Sequence, residues 1–274
     1  MGSLAAPDFD LGLTVKAGML FAYDEICPNE FIICDGEKTF YVKQEGSTLF
    51  FEGIAERGLR GFFDLDTDID GLHARLKTEK PLAPVLREYK GLRLVRQDPR
   101  QAILTFIMSS NNNQRRIKRM MDAFRERHGE RTVVGGHAAF ALPPRGAVTH
   151  PGHLDGLKYG YRAEYLVETE RRLNTGFLNK LERMDDDGAR ELLLTLPGVG
   201  PKVADCILAY STLARGEAFP ADVWVKRALK RWYASSFRKK PLTDKHIREF
   251  AKKRFGDDAA YAQHYLFLAA QEKL

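Results

Sequence analysis

Cysteine is scarce in this 274-residue chain: Cys27, Cys34 and Cys206 are the only three, and no two form a C-x-x-C pair. That excludes a disulfide framework and a thiolate metal cluster, and it fits a reducing, cytoplasmic setting. Long apolar runs are missing too, since none approaches the ~20 residues of a membrane span. The opening MGSLAAPDFD lacks a charged segment followed by an apolar one, so no secretory leader is expected. There is no internal repeat and no low-complexity tract. What is present is 44% hydrophobic residues, enough to fill one large domain or two small ones. Lys and Arg number 43 against 37 Asp and Glu, a net charge of +6. A basic balance favours a polyanionic partner, although an ordinary solubility surplus looks the same.

Chain texture changes once. Short β-rich runs (EFIICDG, KTFYVKQEG, STLFFEGI) lie between residues 10 and 63, separated by Gly, Asn or Asp turns. From IDGLHARLKT onward the apolar residues recur with helical period, through PRQAILTFIMSS, NQRRIKRMMDAFRERHG and YGYRAEYLVETERRLN to DAAYAQHYLFLAAQ. The segment 135–157, rich in Gly, His and Pro, reads as an irregular connection. The expected fold is α+β: a small antiparallel sheet domain over 1–90, then a two-lobed helical domain over 91–274 flanking a cleft.

Within the helical part, LTLPGVGPKVADCI (194–207) reads as helix, tight hairpin, helix. Pro197 ends one helix, Gly198 and Gly200 permit the turn, and Pro201 suits the first turn of the next. Glycines there leave backbone N–H groups uncovered beside a helix N-terminus, where an anion such as a DNA phosphate can bind. A plain αα-hairpin uses the same residues. Lys202 stands at the positive end of the second helix, which disfavours an ammonium, and a neutral amine is a nucleophile. Further on, in PADVWV, Asp222 can cap a helix and can also set a carboxylate, kept ionised by that helix end, beside a developing positive charge.

LPGVGPKVADCI with the later PADV, RLVRQDPRQAILTFIMSSNNNQRRI, YGYRAEYL and YAQHYLF together resemble the 8-oxoguanine DNA glycosylase/AP lyases of the helix-hairpin-helix, Gly/Pro-Asp superfamily. The resemblance spans nearly the whole chain in order. It implies that a damaged nucleotide is flipped from duplex DNA into a pocket. Lys202 would attack the sugar C1′, form a Schiff base and permit β-elimination, with Asp222 supporting the cationic transition state. Cys206, on the Lys202 face of its helix, and Phe267 would sandwich the base, and Gln263 would read its Watson–Crick edge. The carbonyl of Gly18 would accept the N7–H that 8-oxoguanine has and guanine lacks. Around it the family's polar, Arg-Trp-ending run is replaced by Met19, Leu20, Phe21, Ala22 and Tyr23.

Asn111, Arg116 and Arg162 match residues that hold the estranged cytosine, and Tyr161 matches the wedge that fills the vacated stack. Trp224 stands where the subfamily often has a phosphate-touching histidine. Gly198, Gly200 and Val203 would present amides to phosphate, and the carbonyls of Leu194, Leu196 and Val199 would hold a monovalent cation. No cofactor is implied. The iron–sulfur branches place four cysteines near the C-terminal end of the helical domain, whereas none follows Cys206 here. The basic runs KRALKR, FRKK and AKKRF add sequence-independent affinity for DNA, though each alone is an ordinary solvated face. The partner implied is double-stranded DNA with an oxidised base, met by a monomer without a membrane. Two alternatives stay open: a helix-hairpin-helix glycosylase for another damaged base, and a non-catalytic DNA-binding module.

Overall fold

The computed structural model describes residues 1–213, 216–237 and 241–273. Strand β1 (Gly2–Ala5) opens the chain, followed by the short helix α1 (Leu11–Lys16), β2 (Tyr23–Cys27), β3 (Glu30–Asp35), β4 (Lys38–Glu45) and β5 (Thr48–Glu52). These five strands form one antiparallel sheet in the order β1-β5-β4-β3-β2. The three β-rich runs of the sequence are β3, β4 and β5. Helix α1 breaks the expected all-strand stretch; Asp10 caps it by accepting from the Leu13 N–H at 2.8 Å.

Helices α2 (Glu56–Phe62), α3 (Ile69–Leu76), α4 (Leu82–Glu88), α5 (Pro99–Met108) and α6 (Gln114–His128) follow. All ten residues of α5 are buried, which makes it the central rod of the molecule. Its start is fixed by Asp98, which caps the Gln101 N–H at 2.9 Å, with Pro99 in the first turn. Asp35 at the end of β3 accepts from the Asp98 N–H at 2.6 Å, so the sheet and the central rod share one anchor.

A hairpin, β6 (Arg131–Val134) and β7 (His137–Phe140), stands just where an irregular connection is expected to begin. Gly135 and Gly136 both have positive φ, the requirement of a tight two-residue turn. The hairpin packs on the outer face of the sheet, where Val134 and Ala139 close over Ile32 and Tyr41. With the main core on the other face, β3 is buried on both sides, and its apolar run Phe31 to Cys34 is continuous rather than alternating.

The remaining helices are α7 (Arg162–Arg172), α8 (Thr175–Arg183), α9 (Asp186–Leu194), α10 (Pro201–Ala209), α11 (Val223–Trp232), α12 (Asp244–Phe255) and α13 (Ala259–Lys273). The α9–α10 pair is the expected hairpin, and Arg190 on α9 meets Asp205 on α10 at 2.7 Å in a buried ion pair. Among the described residues no helix is long and apolar enough to cross a membrane. Of the basic run FRKK, residues 238–240 lie outside the described residues.

Candidate active site

Lys202 reaches its position because Gly200 and Pro201 start α10 abruptly, with Pro201 supplying no N–H where none is needed. Its Nζ donates to the Ser109 hydroxyl at 3.3 Å and lies 5.9 Å from the centre of the Phe106 ring. Both partners come from the end of α5, so the amine is aimed by the central rod. Asp222 caps α11, accepting from the Val225 N–H at 2.8 Å. The sequence reading has the helix end keeping this carboxylate ionised. In the structure burial pushes its pKa above the usual carboxylate range, while the Val225 N–H, Lys202 and the Trp224 N–H pull it back.

Both groups line one cavity of about 210 Å³, together with Gly18, Cys206, Gln263 and Phe267. Catalytic and base-binding candidates from four distant stretches of chain thus converge. The Cys206 thiol is raised to about 11 by burial against an opposing pull from Lys202, so it is a wall and not a thiolate. Gln263 is buried, and its Oε1 accepts from the Tyr210 hydroxyl at 2.7 Å. Phe267 stacks on His264 with ring centres 5.8 Å apart.

Gly18 has φ of +87°, and a Cβ built there would lie 2.4 Å from Gln114 Nε2. Backbone conformation and crowding both call for glycine. The altered run after it is core: Met19, Leu20, Phe21 and Ala22 are all buried, and Phe21 also borders the cavity. Gln97, fully buried, donates through Nε2 to the Met19 carbonyl at 2.9 Å and to the Tyr210 carbonyl at 3.1 Å. One amide therefore ties the Gly18 loop to the end of α10. Trp224 lines the cavity and carries the Arg227 guanidinium over its ring at 4.7 Å.

The opposite-strand candidates lie at the α5–α6 loop and the start of α7. Asn111 has φ of +47° and donates to the Tyr161 hydroxyl at 3.4 Å. Tyr161 is 48% exposed. Arg116 donates to the Lys158 carbonyl at 3.1 Å. Arg162 is 4% exposed, and four of its five N–H donors go to the carbonyls of Ser110, Asn111 and Tyr159. It braces the loop that presents Asn111.

In the hairpin, Gly198 has φ of +78°, and a Cβ there would meet the Tyr165 ring at 2.7 Å. Around Gly200 there is open space, which fits an outward-facing backbone. The Val203 side chain is buried, while its N–H is among those a helix start leaves unpaired. Among the described residues no group of three or more His, Cys, Asp or Glu could hold a metal ion.

Sequence reasoning passed over Ser109, Tyr210, His264, Gln97 and Gln114. Tyr210 carried a signal, since it continues the face of Lys202 and Cys206 at a further helical step. Ser109 lay inside the quoted SSNNN motif.

Known proteins share this arrangement of elements. A family model described as 8-oxoguanine DNA glycosylase, N-terminal domain, matches residues 3–103, and the helix-hairpin-helix motif matches residues 189–210. A probable N-glycosylase/DNA lyase of Methanothermobacter thermautotrophicus is 31% identical, across 95% of this chain and 93% of that protein. The chain belongs to the 8-oxoguanine DNA glycosylase family. A Saccharomyces cerevisiae N-glycosylase/DNA lyase is also 31% identical, over 82% of this chain and 71% of its own length. The structure of a Clostridium acetobutylicum 8-oxoguanine glycosylase/lyase, in complex with double-stranded DNA containing cytosine opposite 8-oxoguanine, superposes with a TM-score of 0.87 at 28% identity. That alignment covers 99% of this chain and 98% of the other.

Proposed function

We propose that this member of the family excises 8-oxoguanine paired with cytosine and then cleaves the strand through a Schiff base on Lys202. The observation that carries the reading is the single cavity into which Lys202, Asp222, Gly18, Cys206, Gln263 and Phe267 all converge. In this reading the Nζ lone pair forms a bond to C1′ as the glycosidic C–N bond breaks, and the base leaves with the bonding pair and is protonated. The nitrogen passes one proton to the departing base; the C1′–O4′ bond then breaks, O4′ takes up a proton, and a protonated imine remains. Loss of a C2′ proton then breaks the 3′ C–O bond, which is β-elimination. No cofactor enters these steps.

Asp222 stabilises the cationic sugar before the new bond is complete. Phe267 and Cys206 hold the base face to face, Gln263 meets its Watson–Crick edge, and the Gly18 carbonyl accepts its N7–H. The amides of Gly198, Gly200 and Val203 bind phosphate at the helix start. Asn111 and Arg116 meet the estranged cytosine while Tyr161 fills the gap in the stack. The carbonyls of Leu194, Leu196 and Val199 suit a monovalent cation. Leu194 ends α9, where helix acceptors go unpaired, and Leu196 accepts from the Val199 N–H at 3.1 Å with a second lone pair to spare.

The test is borohydride trapping on a labelled duplex with one 8-oxoguanine opposite cytosine, comparing wild type with Lys202→Gln. A covalent complex and strand cleavage in wild type, both lost in a variant that still binds the duplex, support the proposal. Binding without trapping or cleavage in wild type overturns it for this lesion. Activity on another damaged base would then select the neighbouring glycosylase class.

A further inference from the structure

Three buried side chains on the cavity wall share one hydroxyl proton. Gln263 Oε1 lies 2.7 Å from Tyr210 Oη, and His264 Nδ1 lies 3.1 Å from the same oxygen. Tyr210, Gln263 and His264 are 4%, 3% and 1% exposed, so no solvent mediates between them. A carboxamide oxygen can only accept, and a phenol has one proton, so that proton points to Gln263. The phenol oxygen then accepts from His264 Nδ1–H, and His264 Nε2 is left as a bare lone pair.

One other order closes the same chain. If the carboxamide were turned over, its Nε2–H would donate to the phenol, the phenol would donate to Nδ1, and His264 would carry its proton on Nε2. The face that Gln263 shows and the tautomer of His264 are therefore one two-state variable. His264 Nε2 separates the two, because it is buried and has no hydrogen-bond partner. The turned-over order buries an orphaned N–H, whereas the first order buries an orphaned lone pair, the smaller burden. Burial also drives the His264 pKa down to about 3, so a doubly protonated ring does not enter the balance. The Gln97 bond to the Tyr210 carbonyl fixes the tyrosine from behind.

We propose that Tyr210 and His264 are positioning residues that lock the Gln263 carboxamide with its oxygen toward Tyr210 and its N–H donors toward the base. The inference rests on the reading of this cavity as the base pocket. A locked carboxamide asks for an acceptor on the base edge opposite its N–H donors. With the donors set at position 6, a 6-oxopurine supplies one, while a 6-aminopurine sets N–H against N–H there and keeps its acceptor at N1, where 8-oxoguanine carries a proton. The pocket therefore selects 8-oxoguanine over 8-oxoadenine through two residues behind the one that touches the base.

The experiment has two arms on the full chain. Imidazole 15N spectra of the free protein report the His264 tautomer across about pH 6 to 8. The expected result is a protonated Nδ1 and an unprotonated Nε2 throughout, with mixed tautomers in Tyr210→Phe. Single-turnover excision of 8-oxoguanine and of 8-oxoadenine, each opposite cytosine, gives the preference. Tyr210→Phe should lower that preference by about 5- to 10-fold, the worth of one neutral hydrogen bond. A thermal melt confirms that the variant is folded; if it is not, His264→Leu, which removes the other end of the chain, takes its place. A proton on Nε2 in wild type, or an unchanged preference in a folded variant, overturns the lock while wild type still excises 8-oxoguanine. Wild type that excises neither base sinks the pocket reading and the lock with it.

Discussion

Lys202 Nζ and Ser109 Oγ meet at 3.3 Å, bringing the hairpin helix against the end of the central rod. The hydroxyl gives the amine a fixed direction and can take a hydrogen bond in either of its protonation states. Ser109→Ala should slow borohydride trapping by about 5- to 10-fold, in line with one lost hydrogen bond, and leave duplex affinity unchanged. Single-turnover trapping beside a binding isotherm checks both halves.

Gly18→Ala combines a positive φ with a contact on Gln114. The conformational cost is about 1–2 kcal/mol, and the Gln114 amide can swing away, so the protein should fold with a modest loss of melting temperature. Gln114 lines the cavity, however, and its displacement should cost more in excision than in stability. A rate loss above about tenfold, the equivalent of 1.4 kcal/mol, is the expected outcome in the trapping assay.

Arg162→Gln separates two roles that sequence alone runs together. A side chain that only touches cytosine can be removed without harm to the free protein. A buried guanidinium bonded to three carbonyls cannot, and the variant should lose about 2–4 kcal/mol of stability. Urea unfolding without DNA measures it; an unchanged midpoint would return Arg162 to the DNA-contact role.

The Asp35 carboxyl is raised to about 7, chiefly by burial and further by Asp98, against the pull of the Asp98 N–H. An acid whose pKa is raised on folding binds its proton more tightly in the folded state. Its stabilisation is present below the unfolded value of about 3.9 and is lost as pH rises through about 7. Asp35→Asn keeps an acceptor for the Asp98 N–H and removes the titration. The variant should gain in melting temperature relative to wild type as pH rises from about 5 to 8; parallel curves would refute the assignment.

Strands β3, β4 and β5, the hairpin helices and the cavity residues Lys202, Asp222, Cys206, Gln263 and Phe267 were legible in the sequence, whereas strands β1 and β2 were not. Each of the former rests on local pattern or on a motif with fixed spacing. The β6–β7 hairpin was not, because His137-Ala138-Ala139-Phe140 has little strand character of its own; it is held by closing over Ile32 and Tyr41. Helix α1 escaped because six residues give too little periodicity. The carbonyl partners of Arg162 on the α5–α6 loop escaped as well, since they are named only by the fold. The Tyr210 and His264 bonds to one another are likewise tertiary and leave no spacing rule behind.

Gln97 gives the pocket a fixed gauge. By holding the Met19 and Tyr210 carbonyls with a single amide nitrogen, it ties together the walls that carry Gly18 and Cys206. The opening between those walls cannot stretch to suit a bulkier guest without breaking a buried pair of bonds. A change of diet in this lineage would have to come by exchanging the residues that face the guest, one at a time, with the frame left as it is.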